Sequence, residues 1–329
     1  MEFIISMDIV WSLVLILLIA GIVMAAKKQD ALKTNPDKIK INVEDLNKTK
    51  RKTFRSVKNQ MAGEPDLPAR KPPKSRVNSK PSVFVIDFKG DVNATGSELF
   101  KASLNAAVQQ AKEGDEVMIR LESQGGSVAE YGYLSTLLEE IKDQPFQLTV
   151  CVDKVAASGG YLMACVADKV VAAPFAYIGS IGVVAQVPNV HELLERYGIT
   201  VKDYTAGESK RTVSMTGEIK AEDEKKFTEQ LEAIHEQFKA HVAQHRSQVD
   251  IEAVATGESW TAKNALDHQL IDEIGTSNAY LQGCMKEMNA YQIKATYPLK
   301  QKTLKEVMSA SVSQGIEKVA QNLIQNRIQ

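Results

Sequence analysis

The sequence predicts an α/β fold with a mostly parallel β-sheet. Segments typical of strands alternate with segments typical of helices over residues 83–187. Most of these strands are apolar throughout, as at residues 83–88 and 148–152, which is typical of strands covered on both faces. Two strand ends run into glycine-rich turns that open helices, at residues 123–127 and 158–160. Open α/β sheets bind ligands at such strand ends, so we expect the functional site there.

The individual elements follow from local patterns. Ser127 and Glu130 match a capping box, so we expect a helix to begin there, with an apolar stripe that starts at Val128 and ends at Ile141. A short helix is expected within residues 262–272, ending before a final strand. The other expected strands lie at 83–88, 117–121, 148–152, 170–173 and 181–187, and the other expected helices at 98–112, 159–167, 191–197 and 221–248.

Charge and cysteine content narrow the functional class. The chain has 329 residues and a net charge of −1, but residues 27–80 contain 16 Lys and Arg against six Asp and Glu. A basic segment beside an acidic body indicates an anionic partner, either lipid or nucleic acid.

The three cysteines, Cys151, Cys165 and Cys284, fit neither a disulfide framework nor a zinc site, and we expect the first two in the core.

The N-terminal region predicts a membrane anchor. After a tail at residues 1–8, residues 9–26 are uncharged and apolar except for Ser12. Eighteen helical residues span about 27 Å, close to the hydrocarbon thickness of a bilayer. A cleaved signal peptide is the alternative, but the chain starts with the acidic Glu2 instead of basic residues.

Residues 27–80 are interpreted as a basic, proline-containing linker that contacts lipid headgroups. Leu46, Phe54 and Val57 are too sparse in this segment to predict an amphipathic helix. No aromatic stacking pattern accompanies the basic residues, so nucleic-acid binding is not expected. The positive charge after the span favours a cytoplasmic body, although long domains can cross a membrane regardless of charge.

Ser158 is the candidate nucleophile. It lies where a strand turns into a helix, between Ala157 and the Gly159–Gly160 pair. The backbone N–H groups of Gly159 and Gly126 would form a donor pair for an acyl oxyanion. The alternatives are a serine N-cap on a core helix and two turns that need glycine for positive φ. A phosphate cradle lacks support, because neither phosphate-binding glycine signature is present.

A serine nucleophile needs a base. His235, His241 and His245 lie on one charged helix, and we expect them to be solvated. His241 and His245 are four residues apart and could share a metal, but the zinc-protease pattern is missing. His191 and His268 complete the histidines, and none is expected to serve Ser158. Lys210, which follows a glycine turn, is the other candidate base, since a desolvated lysine can be neutral.

Five motifs together resemble a known family. They lie at residues 122–128, 156–161, 179–183, 207–212 and 270–275. The chain resembles the membrane-anchored serine peptidases of the signal peptide peptidase A type, peptidase family S49, and within it the SohB branch of Gram-negative bacteria. The resemblance covers the anchor, the basic segment and the body to about residue 289. It implies a peptidase domain at 81–290 and a C-terminal extension at 291–329, whose residues 301–329 have the pattern of an amphipathic helix.

The resemblance implies a Clp protease/crotonase-like fold of ββα units, preceded by one transmembrane helix. It implies a Ser/Lys dyad with Ser158 as nucleophile and Lys210 as general base, oriented by Ser180. Gly126 and Gly159 would form the oxyanion hole, and no cofactor or metal is implied. One departure is Gln124, where relatives often have proline. In relatives, neighbouring subunits can share an active site, so a homo-oligomer is expected.

The sequence and the resemblance together predict a single-pass serine endopeptidase of the bacterial inner membrane. It would hydrolyse extended apolar segments, such as signal peptide remnants or misfolded membrane proteins. The family suggests a periplasmic catalytic domain, whereas the charge after the span suggests a cytoplasmic one. The alternatives are a catalytically silent membrane scaffold on the same fold and a crotonase-like acyl-CoA enzyme.

Overall fold

A computed structural model of the chain describes residues 39–63, 80–206 and 213–298. The chain divides into two compact units, Ile41–Ala295 and the combination of Met1–Lys40 with Thr296–Gln329. The expected anchor at residues 9–26 and the expected helix at 301–329 belong to the second unit and lie outside the described residues. Within the described ranges, no helix is both long enough and apolar enough to cross a bilayer.

The described elements alternate as the sequence predicts. The strands are β1 Lys40–Asp45, β2 Ser82–Gly90, β3 Glu116–Ser123, β4 Gln147–Val152, β5 Val155–Ala157, β6 Lys169–Ala172, β7 Tyr177–Gly179, β8 Ser259–Thr261, β9 Glu273–Ile274 and β10 Asn289–Thr296. The helices are α1 Leu46–Met61, α2 Ser97–Val108, α3 Val128–Lys142, α4 Gly159–Ala164, α5 His191–Arg196, α6 Ala221–His245, α7 Ile251–Val254, α8 Ala262–Asp267 and α9 Ser277–Glu287.

The strands form one mixed sheet that divides at the end of β3. Its main path runs β1-β10-β2-β3-β4-β6-β9. From β10 to β9 along this path, each strand pairs in parallel with the next. At Ser123 strand β3 also pairs in parallel with β5, and β5 pairs in parallel with β7, whereas β7 pairs antiparallel with β8. The carboxyl ends of β3, β5 and β7 therefore lie side by side, which confirms the expected α/β class and brings three turns together.

The sheet is buried on both faces. Successive side chains of a strand point to opposite faces. Phe84, Ile86 and Phe88 of β2 accordingly lie in the large core cluster, while Val83 and Val85 lie in a smaller cluster with Leu281 of α9. Cys151 and Cys165 are buried and free, as expected for cysteines that pack as small apolar residues.

Three local predictions are wrong. Residues 180–190 form no strand, because the chain leaves the sheet after Gly179. The side chain of Ser127 makes no capping hydrogen bond, since that turn is held by the Ser127 N–H, which donates to the Val92 carbonyl at 2.8 Å. The helix expected at residues 98–112 ends at Val108.

The basic segment is more ordered than the linker interpretation of residues 27–80 allows. Strand β1 pairs with β10, and helix α1 begins immediately after it. Asp45 caps this helix by accepting the Lys48 N–H at 2.8 Å. Asn47 ties the helix to α9 and β10, since it donates to the Met288 carbonyl and accepts the Ala290 N–H. Residues 41–61 are therefore part of the sheet unit.

An ion pair between a buried arginine and a partly exposed aspartate joins α6 to the start of β9. Arg246 is 3% exposed and contacts both carboxylate oxygens of Asp272, at 2.8 and 3.0 Å. Asp272 also accepts the Val170 N–H of β6 at 2.7 Å. Removing one partner of such a pair leaves an uncompensated buried charge.

We expect Asp272→Asn to destabilise the fold by about 1.5–3 kcal/mol, because the buried Arg246 guanidinium loses its charged hydrogen-bond partner. Urea unfolding of the full chain, followed by circular dichroism, measures this loss. The matched control is Asp87→Asn, which breaks the exposed pair between Asp87 and Arg120 and should cost no more than about 1 kcal/mol. Equal losses in the two variants would contradict the assignment.

Candidate active site

Ser158 has a strained backbone at the turn between β5 and α4. Its φ is 51° and its ψ is −122°, outside the extended conformation of an ordinary N-cap residue. The side chain makes no capping hydrogen bond to α4, which contradicts the N-cap interpretation of its hydroxyl. The Ser158 N–H donates to the Gly179 carbonyl at 2.7 Å and so fixes the turn to the end of β7.

The turn after β3 lies directly against Ser158. Gly125 has a φ of +87°, and a Cβ placed on it would lie 2.7 Å from both the Ser158 Cβ and the Gly159 nitrogen. A Cβ on Gly126 would lie 2.1 Å from the Val92 carbonyl oxygen. The two turns therefore contact each other through backbone, and only glycine fits at Gly125 and Gly126. Neither the Gly126 N–H nor the Gly159 N–H has a hydrogen-bond partner in the part of the chain that the structure describes.

A buried pair of hydroxyl groups, those of Ser123 and Tyr131, supports the turn after β3 where it contacts Ser158. The Tyr131 hydroxyl donates to the Asp91 carbonyl at 2.7 Å. Its single proton is thereby used, so the Ser123 hydroxyl, 2.6 Å away, donates to it and accepts the Gly125 N–H at 3.0 Å. Burial raises the pKa of Tyr131, which keeps the phenol protonated. Tyr131 lies in the apolar stripe that the sequence predicts, and its spacing alone does not indicate this role, because a tyrosine at helical spacing is typical of an ordinary core.

Ser180 lies on the third of the adjacent turns. It also has a φ of 51°, and its N–H donates to the Glu258 carbonyl at 2.7 Å. Its hydroxyl donates to the Gly257 carbonyl at 3.2 Å. Lys210 and the rest of residues 207–212 lie outside the described residues. The chain that follows this segment is held by Asn189, which donates to the Ser214 and Gly217 carbonyls at 2.9 Å.

A cavity of about 940 Å³ connects these turns. Ser158, Ser180 and the two glycines of the expected oxyanion hole, Gly126 and Gly159, all line it. The structure therefore brings together the four described residues that the sequence singled out. Among the residues that the structure describes, the titratable side chains that line it are Tyr131, Glu139, His235 and His241.

The expectation of solvated histidines on α6 is wrong for His241 and His245. Both are largely buried against α3, where Glu139 Oε1 lies 2.6 Å from His245 Nε2 and 3.5 Å from His241 Nδ1. Burial, and then the neighbouring His245, lower the pKa of His241. His241 Nε2 lies 3.1 Å from the Leu162 carbonyl, and His235 Nε2 lies 3.2 Å from the Ile181 carbonyl. Sequence spacing showed that His241 and His245 share a helix face, but it could not show that Glu139 faces them.

Comparisons with known proteins identify relatives that are peptidases, in line with a serine placed beside two backbone N–H groups. Two family models match, "Peptidase family S49 N-terminal" at residues 3–138 and "Peptidase family S49" at residues 140–291. The "Probable protease SohB" of Haemophilus influenzae is 48% identical over 69% of this chain and 64% of its own length. The protein of the same name in Buchnera aphidicola subsp. Acyrthosiphon pisum is 42% identical over 73% of this chain and 70% of its own length.

One solved structure is that of a 1510-N membrane-bound stomatin-specific protease variant in complex with a substrate peptide. It has a TM-score of 0.43 and 14% identity over 72% of this chain and 99% of its own length. Such a TM-score does not by itself establish a common fold. The two family models together match residues 3–138 and 140–291, and the Buchnera relative is 42% identical over 70% of its own length, so the chain belongs to peptidase family S49.

Proposed function

We propose that this chain is a membrane-anchored serine endopeptidase with a Ser/Lys dyad. The observation that carries the proposal is the placement of Ser158, a residue with positive φ whose hydroxyl is not used as a helix cap. It lies in the cavity beside two backbone N–H groups that have no partner in the described ranges. Strained backbone of this kind is typical of functional sites.

In the proposed mechanism, the neutral amine of Lys210 takes the proton of the Ser158 hydroxyl as the Oγ attacks the scissile carbonyl carbon. The Gly126 and Gly159 N–H groups stabilise the resulting oxyanion. Collapse of the tetrahedral intermediate breaks the C–N bond, and the Lys210 ammonium protonates the leaving amine. Water, deprotonated by the same amine, then hydrolyses the ester and regenerates Ser158.

Ser180 is proposed as the residue that orients the Lys210 amine. Its hydroxyl lies on the same cavity as Ser158, and its acceptor, the Gly257 carbonyl, leaves the Ser180 oxygen able to accept from an ammonium. We further infer a Clp protease/crotonase-like arrangement of the strands. The parallel pairing of β2, β3 and β4, with β5 and β7 branching from β3, supports this inference.

The substrate class is inferred to be extended apolar peptide segments, in line with an anchored enzyme that meets membrane-associated chains. No cofactor is needed for this chemistry. The rival functions are an acyl-CoA enzyme with the same oxyanion donors and a silent scaffold. A third possibility, a histidine base, has a specific observation in its favour, because His235 and His241 line the same cavity.

The dyad predicts a sharp mutational pattern. Ser158→Ala and Lys210→Ala should each lower the hydrolysis of a fluorogenic apolar peptide by at least about a thousandfold, because each removes a group that forms or breaks bonds. A fluorophosphonate probe should label Ser158 in the wild-type chain and leave Ser158→Ala unlabelled.

Histidine variants provide the matched control for the base. His235→Gln should retain most of the activity, whereas loss of activity in this variant with retention in Lys210→Ala would overturn the dyad.

Mixed oligomers of Ser158→Ala and Lys210→Ala test a second inference, that neighbouring subunits share sites. Exposed apolar residues support it, among them Val184, which lines the cavity, and Tyr197 and Tyr204 in the segment that follows it. Regained activity would indicate sharing, and none in verified mixed oligomers would indicate a dyad within one chain.

Tyr131→Phe tests the support of the oxyanion loop. The change leaves the Ser123 hydroxyl and the Asp91 carbonyl without their shared partner, so we expect the Gly125–Gly126 turn to shift and kcat to fall about ten- to a hundredfold. KM should change little. Tyr133→Phe is the control on the same helix, since the Tyr133 hydroxyl contacts the exposed Lys101 instead. An unchanged kcat in Tyr131→Phe would contradict the role.

Membrane attachment is proposed through a single span at residues 9–26, in the bacterial inner membrane, and through helix α1. The helix has six basic residues and no acidic residue: Lys48, Lys50, Arg51, Lys52, Arg55 and Lys58. Phe54, Val57 and Met61 are 73%, 50% and 85% exposed and recur at helical spacing. An exposed basic helix with an apolar stripe is typical of helices that bind anionic lipid surfaces, and each basic residue contributes about 1 kcal/mol there.

In a full chain whose Trp11 and Trp260 are replaced by Phe, we expect the tryptophan fluorescence of Phe54→Trp to be quenched by brominated lipid in anionic phosphatidylglycerol nanodiscs, and much less in phosphatidylcholine nanodiscs. Insertion of the apolar stripe after electrostatic attraction would cause this difference. Phe175→Trp is the matched control, because Phe175 is 87% exposed on the body. Equal quenching of the two variants, or none at position 54, would contradict lipid binding by α1.

A further inference from the structure

We propose that Glu139, His241 and His245 form a binding site for a divalent transition-metal ion of the zinc class. The site lies in the wall of the cavity that contains Ser158. Glu139 belongs to α3 and the two histidines to α6, so a bound ion would join the two helices. Carboxylate and imidazole ligands are those that zinc takes in proteins. The inference does not depend on the peptidase mechanism.

The geometry requires only small side-chain movements. The three ligand atoms lie within 4.8 Å of one another. Tetrahedral zinc with bonds of about 2.0–2.2 Å places its ligand atoms about 3.3–3.6 Å apart. The 3.5 Å separation between Glu139 Oε1 and His241 Nδ1 already fits, and the 2.6 Å separation between Glu139 Oε1 and His245 Nε2 must widen by less than about 1 Å. A fourth position would remain for water or a ligand.

The surroundings of His241 select the tautomer that a metal needs. Ser135 donates its hydroxyl proton to the Leu162 carbonyl at 2.7 Å. His241 Nε2 lies 2.9 Å from the Ser135 oxygen and 3.1 Å from the Leu162 carbonyl, both of which can only accept from it. The ring proton is therefore on Nε2, and the Nδ1 lone pair faces the Glu139 carboxylate. Metal-bound histidines are commonly held by such a bond to a backbone carbonyl.

Lys142 opposes metal binding at this site. Its ammonium lies 3.2 Å from His245 Nδ1, and because it can only donate, His245 carries its own proton on Nε2 and donates it to Glu139. A metal on His245 Nε2 would move that proton to Nδ1, against the ammonium. Lys142 is in the last turn of α3 and must turn away when the metal binds. The natural site is therefore weaker than its ligand set alone would make it.

A bound ion would clamp the wall of the cavity. Leu162, which receives hydrogen bonds from Ser135 and His241, follows Ser158 by one helical turn, and its own N–H donates to the Ser158 carbonyl at 2.9 Å. The metal would thus fix α3 and α6 against α4, the helix that begins at the candidate nucleophile. We expect binding to raise the melting temperature.

The test is calorimetric titration of Zn²⁺ into the untagged full chain carrying Ser158→Ala, with Mg²⁺ as the control ion. We expect saturable binding of one Zn²⁺ per chain and no binding of Mg²⁺. Glu139→Gln and His241→Gln should each weaken the affinity at least about tenfold, and Lys142→Met should tighten it about tenfold. His191→Gln, distant on α5, should bind as the parent does.

Melting temperatures in EDTA show whether each variant folds. If His241→Gln does not fold, the Zn²⁺ affinity of Glu139→Gln alone decides whether the cluster is the metal site. Equal affinity of the parent and Glu139→Gln, or no stoichiometric binding, would overturn the site. Binding seen only in Lys142→Met would also overturn it, because the natural chain would then not use the cluster.

Discussion

The contact between two turns, Gly125–Gly126 after β3 and Ser158–Gly159 after β5, is the constraint on which the candidate site depends. Any side chain at Gly125 would occupy the space of the Ser158 Cβ, so the approach is possible only between glycine backbone and the serine. It also depends on the sheet, because β3 changes partner from β4 to β5 at Ser123 and so brings the two turns to one edge. A hydroxyl and two free N–H groups converge for that reason.

This convergence is held by strain that neighbouring hydrogen bonds offset. Ser158 and Ser180 both have a φ of 51°, a conformation that costs a non-glycine residue free energy. The N–H of each donates at 2.7 Å to a carbonyl of a neighbouring strand or turn, at Gly179 and Glu258. The strained turns therefore persist because the end of β7 holds the Ser158 backbone and Glu258, just before β8, holds the Ser180 backbone. A strand slip at β7 would release both serines together.

The sequence predicted the α/β class and the turn residues because these depend on local signals: apolar runs, glycine pairs and a serine between small residues. It did not predict what depends on partners far along the chain. The sequence of β1 and α1 is typical of a linker because their core partners, β10 and α9, lie more than 200 residues away. The spacing of Val128 predicts that it belongs to the apolar stripe of α3, although its side chain is exposed. The identity of the base stays a prediction.

Helix α3 shows why a polar pattern was harder to interpret than the apolar one. Ser135, Glu139 and Lys142 follow Tyr131 at helical spacing, and in sequence such polar residues are typical of a solvated face. In the structure, Tyr131 contacts Ser123 at the Gly125–Gly126 turn, and Ser135 donates to the Leu162 carbonyl. Glu139 and Lys142 contact the histidines of α6. One helix face thus connects the candidate catalytic turn to the candidate metal site. An ion that fixes Glu139 would act on the Gly125–Gly126 turn through the rigid helix between them, with no need for direct contact with Ser158.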